Sequence, residues 1–542
     1  MAFDSSPSTE AWHVLVSVAL TGGTVRYAET DLAMDDGTAY EGRVLSIPAL
    51  RLSTGTILDP RLVSPSLDIV LADADKVVRD SFDSEEWRNK AVTIQAGQGL
   101  TIADYETVFE GVVRFGSRSW DTTTARFGVD DVRARDAVAL PATLYDPATY
   151  TNMEEKSEYK PIPLVYGSWL TADGGGETLP AVCIDTTAGT GGQFKVAAHA
   201  LKTIEAVYLN GAAITGNCTL DAANGQFTIS STSTYDPDVD TVTVNCSGAT
   251  DDGTTSGALL QSLPDILDDL LQTHMGVAAG DIDSAAMAAW EAELDASDYG
   301  RRWIGETISS DDLIRDLLVE GFADITISAG DYTPAYRIVE AASGASTFTS
   351  ANIRERSGGV KDFSVQADPE GIFANEVIGD YRYAPASAVF RGSYTSTDAA
   401  SVALLGTTKR RRLTMRWLYT TAGARRRINR ERYLFSREPE SATMTLDPAA
   451  LTKGPTDQFR LVHDKYDSTP WQIRSIVLDL LGKQAVAQCW NMLRLTPGRW
   501  VASTAPAWSA ATAAEKAESG FWTDSSGRAD SGDANSTGSI WF

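Results

Sequence analysis

The segment Lys160-Pro161-Ile162-Pro163-Leu164-Val165-Tyr166-Gly167 limits what this chain can fold into more than any other. Two prolines around one isoleucine fix φ and push the residues before them into extended conformations, so the chain must enter this stretch as a strand. Gly167 then offers a turn at the end of a short apolar run. Nothing in the segment carries catalytic chemistry. It is a joint, and Glu158 and Tyr159 lead into it.

Before the joint, residues 10 to 140 alternate as strands do: Leu67, Ile69 and Leu71, then Val92 and Ile94, then Ala125, Phe127 and Val129. Turn signals separate the runs, and one short helix is expected from Asp83 to Lys90. After the joint, residues 170 to 257 are again β-patterned. Val207 and Leu209 run into Asn210-Gly211, a strong hairpin signal. Asn224-Gly225 precedes Phe227 and Ile229, and Val242, Val244 and Cys246 share one face. Ser247 to Gly257 is composed like a linker.

The period then changes from two to 3.6. Leu259, Leu260, Leu263, Ile266, Leu267, Leu270 and Leu271 form one helical stripe, with Ser262 and Asp265 at capping-box spacing and Gly276 as a stop. Further helices are expected at Ser284 to Leu294 and Ser309 to Glu320, followed by strands near Ile325 to Ile327 and Tyr336 to Val339. From Phe363 the pattern returns to β, at Thr443 to Leu446, Phe459 to Val462 and Ile473 to Leu478. The expected fold is therefore mainly β with an α+β insertion, divided as 1–157, 158–257, 258–345, 346–495 and an extended aromatic arm, 496–542.

At 542 residues the chain exceeds one compact core. Its 43% hydrophobic and 22% charged residues are those of a globular protein. No apolar run approaches the roughly 20 residues that cross a bilayer, so no membrane insertion is expected. Met1 to Glu10 is polar and acidic, unlike a secretory signal, so the chain is expected to be made and first held in the cytosol. A net charge of −27 argues against general nucleic-acid binding, which needs a basic footprint.

Recognised catalytic and metal-binding patterns fail when read residue by residue. Cys183, Cys218, Cys246 and Cys489 have no paired spacing and read as buried thiols; whether Cys218 and Cys246 meet across a sheet is left open by the sequence. His13, His199, His274 and His463 fall in different regions. Thr171 to Gly176 is glycine-rich but lacks the Lys-Ser/Thr of a phosphate cradle. Asp236, Asp238 and Asp240 alternate, yet Thr241 and Ser247 stand where a calcium loop needs glycine and glutamate. No catalytic residue, metal or cofactor is expected, and the chain reads as a non-enzyme.

Charge is uneven. Between Lys409 and Arg437 there are eleven Lys and Arg against the single acid Glu431. Lys409-Arg410-Arg411-Arg412 leads into an alternating strand of Leu413, Met415 and Trp417, and Ala422 to Arg437 reads as a helix. Three readings stay open: a solvated face pairing with nearby acids, a contact surface for an acidic partner or neighbouring copy, or DNA contact. The candidate contact residues are Arg410, Arg411, Arg412, Arg425, Arg426, Arg427 and Arg430. Beyond Pro497, Trp500, Trp508, Phe521, Trp522, Trp541 and Phe542 stud an Ala/Ser/Thr/Gly-rich stretch. Two readings stay open for this stretch, a disordered tail, although such tails are poor in aromatics, and an extended strap onto neighbouring subunits, for which Trp508, Trp522, Trp541 and Phe542 join the candidates.

The order of these features resembles the tail-tip hub proteins of long-tailed bacteriophages and gene transfer agents, including the hub domains of lambda-like host-specificity proteins. The resemblance rests on the Pro-Ile-Pro joint, the Val207-to-Gly211 hairpin, the helix beginning Leu263-Pro264-Asp265, and the endings Gly520 to Asp524 and Ile540-Trp541-Phe542. It covers roughly residues 10 to 490 and the extreme C-terminus, and it lacks the fibronectin-like modules of the longest members. It implies two tail-tube-like β-barrels per chain flanking an inserted β domain and a helical unit. Three copies would then form a ring that adapts a sixfold tube to a threefold tip. Implied partners are a distal tail ring, the tape-measure C-terminus and a central fibre or tip protein. DNA would pass an acidic lumen without specific binding, and the location would be the virion tail tip. A virion-borne carbohydrate-binding or cell-wall-degrading β protein is the alternative.

Overall fold

The computed structural model describes residues 11–56, 59–60, 66–131, 137–173, 177–189, 191–230, 235–328, 331–337, 346–356, 360–368, 371–436, 440–451, 453–463, 466–491, 499–500, 519–523 and 538–540. The chain is mainly β, with short helices concentrated in its middle.

The N-terminal sheet has ten strands, and its central run is Gly23–Ala28, Trp12–Leu20, Ala91–Gln98, Tyr105–Val113, Thr124–Asp131 and Ser66–Ala72. These pair antiparallel. Period-two alternation puts Val14, Val16 and Val18, Leu67, Ile69 and Leu71, and Ala125, Phe127 and Val129 on one buried face. The opposite face of the first strand is covered as well. Leu15 packs there with Ala28, Met34, Tyr40 and Tyr105.

The helix of this region, α1 (Val77–Ser84), lies earlier than the expected Asp83 to Lys90. Asp73 decides its start, because its carboxylate accepts the N–H groups of Val78 at 2.8 Å and Arg79 at 3.1 Å. Trp87 is buried beyond the helix end against Phe82 and Phe127.

A second, C-terminal sheet orders Ser346–Thr349, Gln458–His463, Tyr466–Asp479, Gln484–Asn491, Glu440–Leu446 and Phe363–Ala367. Its seventh strand comes from the far end of the chain. Leu50–Ser53 pairs antiparallel with Tyr466–Asp479, setting Leu50 opposite Leu478 and Leu52 opposite Ile476. The two sheets share one hydrophobic cluster, in which Val16, Trp87 and Phe127 join Met444, Trp471, Ile476 and Cys489. The N- and C-terminal β regions are one packed body.

Between them, among the described residues, lie two larger cores and a small cluster of Tyr145, Met153, Ile162 and Ile184. The first surrounds Val165, Trp169, Phe194, Val207, Phe227 and Val244, between two four-stranded sheets of residues 179–247. Its hairpin turns at Asn210 (φ 50°) and Gly211 (φ 80°), both left-handed, as an Asn-Gly type I′ turn requires. The second core joins α2 (Leu263–Asp269), α3 (Ser284–Ala292) and α4 (Ser310–Gly321) to residues 372–435. Helix α2 runs into a π-turn at Leu270–His274 and stops at Gly276, whose φ is +71°. The expected Ser262–Asp265 capping pair does not form. Ser262 occupies the N-cap position but makes no side-chain cap bond, and Pro264 in the first turn has no N–H to offer.

The stretch 346–495, expected as one unit, is divided. Phe348, Ile353 and residues 442–489 belong to the shared two-sheet cluster, whereas Ile372, Val377, Trp417, Ile428 and Phe435 pack with the helices. That second part is a small sheet in which Glu376–Ala384 is flanked by Val389–Thr397 and, in parallel, by Arg410–Thr414. After the seven-residue α5 (Ala399–Leu405), α6 (Thr421–Phe435) packs on one face of this sheet.

Candidate functional site

The basic segment folds inward. The strand Arg410–Thr414 ends before Met415 because the Glu320 carboxylate, at the C-terminal end of α4, gathers the next turn of backbone. Its oxygens accept the N–H groups of Arg416 at 2.7 Å and of Trp417 and Leu418 at 2.8 Å. Met415 and Trp417, expected on a continuing strand, are therefore buried in the helical core. Burial pushes the Glu320 carboxyl up to about 7, partly offset by the three N–H donors and by Arg302.

Helix α6 starts at Thr420, whose hydroxyl accepts the Gly423 N–H at 2.9 Å. Its arginines sort by helical face. Arg427 is 4% exposed and donates to Glu431 Oε2 at 2.5 Å and to the Val319 carbonyl at 2.9 Å. Arg411 reaches Glu431 Oε1 at 2.8 Å from the neighbouring strand. Glu431 is buried, and burial alone would raise its pKa, but Arg427 and Arg411 outweigh that and hold it below the usual carboxylate range. Arg426 pairs with Asp298 at 2.6 Å. Arg425 lies 5.1 Å over the Tyr394 ring, and Arg430 5.2 Å over Tyr336.

Expected as parts of one contact surface, these residues are divided by the structure. Arg427 is enclosed and Arg411 half-buried, and both are spent on Glu431, so the single acid of the segment is its internal anchor. Arg410 and Arg412 alternate with Arg411 on their strand and point to the open side of the sheet, 70% and 71% exposed, beside Glu376 and Asp380. Trp508, Trp541 and Phe542 lie outside the described residues, as does the side chain of Trp522.

Two more buried carboxylates tie units together, and no sequence motif announced either. Glu177, in the inserted domain, faces Arg301 at 2.8 Å and Arg382 at 2.7 Å. The Arg301 guanidinium is layered between Trp169, 4.3 Å from the ring centroid, and Tyr419 at 4.4 Å. Asp324, at the start of the strand after α4, meets Arg337 at 3.0 Å and Arg474 of the C-terminal sheet. Glu177 thus fixes the inserted domain to the helical core, and Asp324 fixes the helical core to the two-sheet body. In the sequence Glu177 merely follows three glycines and Arg301 stands beside Arg302, contexts that say nothing of a buried pair.

The joint sits against this network. Val165 and Tyr166 are buried, and Leu164–Tyr166 pairs antiparallel with Arg302–Ile304. Gly167 has φ +71°, and a side chain there would press on the Gly300 carbonyl and Arg301. Tyr166 donates its hydroxyl to Asp269 at 2.6 Å, and His274 Nε2 lies 3.2 Å from the same oxygen. His199 Nε2 accepts the Val165 N–H at 2.9 Å.

Elsewhere, Cys218 and Cys246 are both free thiols. Asp236 and Asp240 are spent on their own turn: Asp240 accepts the Asp236 N–H at 2.8 Å and the Asn210 side-chain amide at 2.6 Å, and Asp236 accepts the Asp238 N–H at 3.0 Å. The chemistry of the whole arrangement is guanidinium and backbone N–H held on carboxylate, which locks parts in place.

No family model matches the chain, and no curated protein matches it. Among solved structures it is similar to the 43 kDa tail protein of prophage MuSo2 from Shewanella oneidensis, at 13% identity and a TM-score of 0.38, covering 89% of this chain and 99% of that one. It is also similar to the tail protein from Neisseria meningitidis MC58, at 8% identity and a TM-score of 0.38, over 88% of this chain and 96% of that one. A chain from the virion of a native gene transfer agent particle shows 13% identity and a TM-score of 0.38, over 63% of this chain and 86% of that one.

Proposed function

We propose that the chain is a structural protein of a bacteriophage-like tail, and specifically the hub at the tail tip, where three copies close or extend the tube. The observation that carries this reading is the strand Leu50–Ser53 inserted beside Tyr466–Asp479. It welds two β-sheet regions, one from each end of the chain, into a single body. Two β units held rigidly in one subunit give three subunits six positions around an axis, which is what a junction between sixfold and threefold symmetry needs.

The carboxylate pins support the same reading. A hub bears load from a distal tail ring, the tape-measure C-terminus and a central fibre or tip protein, and its peripheral domains must not swing. Glu177, Glu320 and Asp324 supply that rigidity with charge-assisted hydrogen bonds inside the chain. The net charge of −27 suits a wall past which genome DNA slides without binding. No catalysis is assigned.

Light scattering on the purified chain, together with peptidoglycan turnover, tests the proposal. The expected result is a particle of three times 58.1 kDa with no lytic activity. A stable monomer that degrades cell wall overturns it.

A further inference from the structure

Two of the chain's four histidines converge on consecutive residues of the joint. His199 Nδ1 lies 2.8 Å from the Ala200 carbonyl. A carbonyl only accepts, so Nδ1 carries the proton, and the unprotonated Nε2 accepts the Val165 N–H at 2.9 Å. The ring is a neutral bridge between the inserted domain and the joint. One residue on, the Tyr166 hydroxyl gives its proton to Asp269 at 2.6 Å and accepts from His274 Nε2 at 3.2 Å. His274 sits on the π-turn Leu270–His274, a backbone irregularity frequent where a helix must aim a side chain.

We infer that His199 is an acid-released latch on the joint: neutral, it holds the Val165 backbone, and protonated, it lets go. The geometry forces this outcome. Adding a proton to Nε2 turns the acceptor into a donor aimed at another donor, and the Val165 N–H, buried with its residue, loses its partner.

The groups facing the ring set the balance. Burial is the largest influence and disfavours the charged ring; the Ala200 carbonyl and Asp269 favour it, and His274 and Lys195 oppose it. Lys195 is itself tied to the Asn224 carbonyl at 2.6 Å. The Tyr166 ring lies 6.5 Å away and stays neutral, its pKa raised by burial and by Asp269. His274 responds differently. Its Nε2 already donates to Tyr166, so a second proton at Nδ1 leaves that bond in place, although burial still disfavours the charge and Asp269 Oδ2 at 3.7 Å offsets only part of that cost. Release of the joint backbone therefore acts through His199, whose Nε2 accepts the Val165 N–H, whereas the His274 Nε2 bond to Tyr166 survives in either charge state.

Amide-exchange protection, normalised to the intrinsic rate at each pH, tests the latch in the full chain. Peptides spanning 163–168 are compared with a reference spanning 92–96 in the N-terminal sheet. Between pH 7.5 and pH 5.0 the joint peptide should lose protection, by at most the roughly thirtyfold that one proton on a group of ordinary pKa about 6.5 allows, while the reference holds. His199→Gln keeps an acceptor within reach and cannot titrate, so its joint peptide should show no fall; His274→Gln should keep the fall. Equal loss in both wild-type peptides, or the same fall in His199→Gln, overturns the inference. If His199→Gln does not fold, His274→Gln decides, because abolition of the fall there would move the sensor off His199.

Discussion

Arg301 Nη2 lies 2.8 Å from Glu177 Oε2, and these two side chains, 2% and 4% exposed, come from positions 124 residues apart. A buried pair is worth little against a well-packed apolar substitute, but removing one partner strands the other. Glu177→Gln leaves the Arg301 charge buried between Trp169 and Tyr419 and also weakens Arg382. The expected loss is about 3–5 kcal/mol by urea unfolding, with the inserted domain becoming protease-sensitive before the two-sheet body does.

Gly167→Ala should also be costly, for a different reason. Its φ of +71° strains any L side chain, and the Gly300 and Arg301 backbone leaves no room for a Cβ. Gly211 has φ +80° but open space around it, so Gly211→Ala bears the conformational strain alone. The Gly211 variant should lose about 1 kcal/mol and the Gly167 variant clearly more, both read from denaturant midpoints. Equal losses would mean that the close packing at Gly167 relaxes freely.

Sequence pattern made the strands visible where only one face is buried, as at Leu67, Ile69 and Leu71, because alternation reports a half-buried sheet directly. The Asn210-Gly211 turn was legible for a similar reason: its backbone needs residues that tolerate positive φ. The partnership of Leu50–Ser53 with Tyr466–Asp479 was not legible, since a strand's own sequence does not name a partner more than 400 residues away. The arginines misled in an instructive way. Composition made Arg410, Arg411 and Arg412 equivalent, but strand alternation sends Arg411 to Glu431 and its neighbours outward. Only the tertiary position of Glu431 makes that distinction.

That division can be checked in one pair of variants. Arg427→Ala removes half the neutralisation of a buried Glu431 and should cost about 3–5 kcal/mol. Arg412→Ala touches a pair on the open face, with Arg412 71% exposed, where solvent screens the charge, and should leave the melting temperature unchanged. A large loss from Arg412→Ala would show that this face is packed against something in solution, and the loss should then depend on protein concentration.

Glu320 gives a pH dependence of a definite sign. Its folded-state pKa is pushed up to about 7 by burial, while the unfolded value is about 4.3. Between those values the folded chain holds a proton that the unfolded chain has released, so this group's contribution to stability falls as pH rises through the window and is level above it. Glu431 and Asp324 have the opposite sign, because their arginines hold them low: their contribution is present above the unfolded carboxylate range and is lost as pH falls through their depressed folded values. His199 and His274, lowered by burial, also lose stability as pH falls below about 6.5. The total slope therefore mixes signs, and a difference isolates Glu320. Glu320→Gln cannot titrate, and its amide NH2 would face one of the N–H groups that the carboxylate accepts, at a cost of about 1–3 kcal/mol. The gap in unfolding free energy between wild type and Glu320→Gln should shrink by up to about 1.4 kcal/mol per pH unit as pH rises from 5 towards 7, then stay constant. A gap that does not change with pH would mean that Glu320 is ionised throughout, held by its three N–H donors and Arg302 against the full cost of burial.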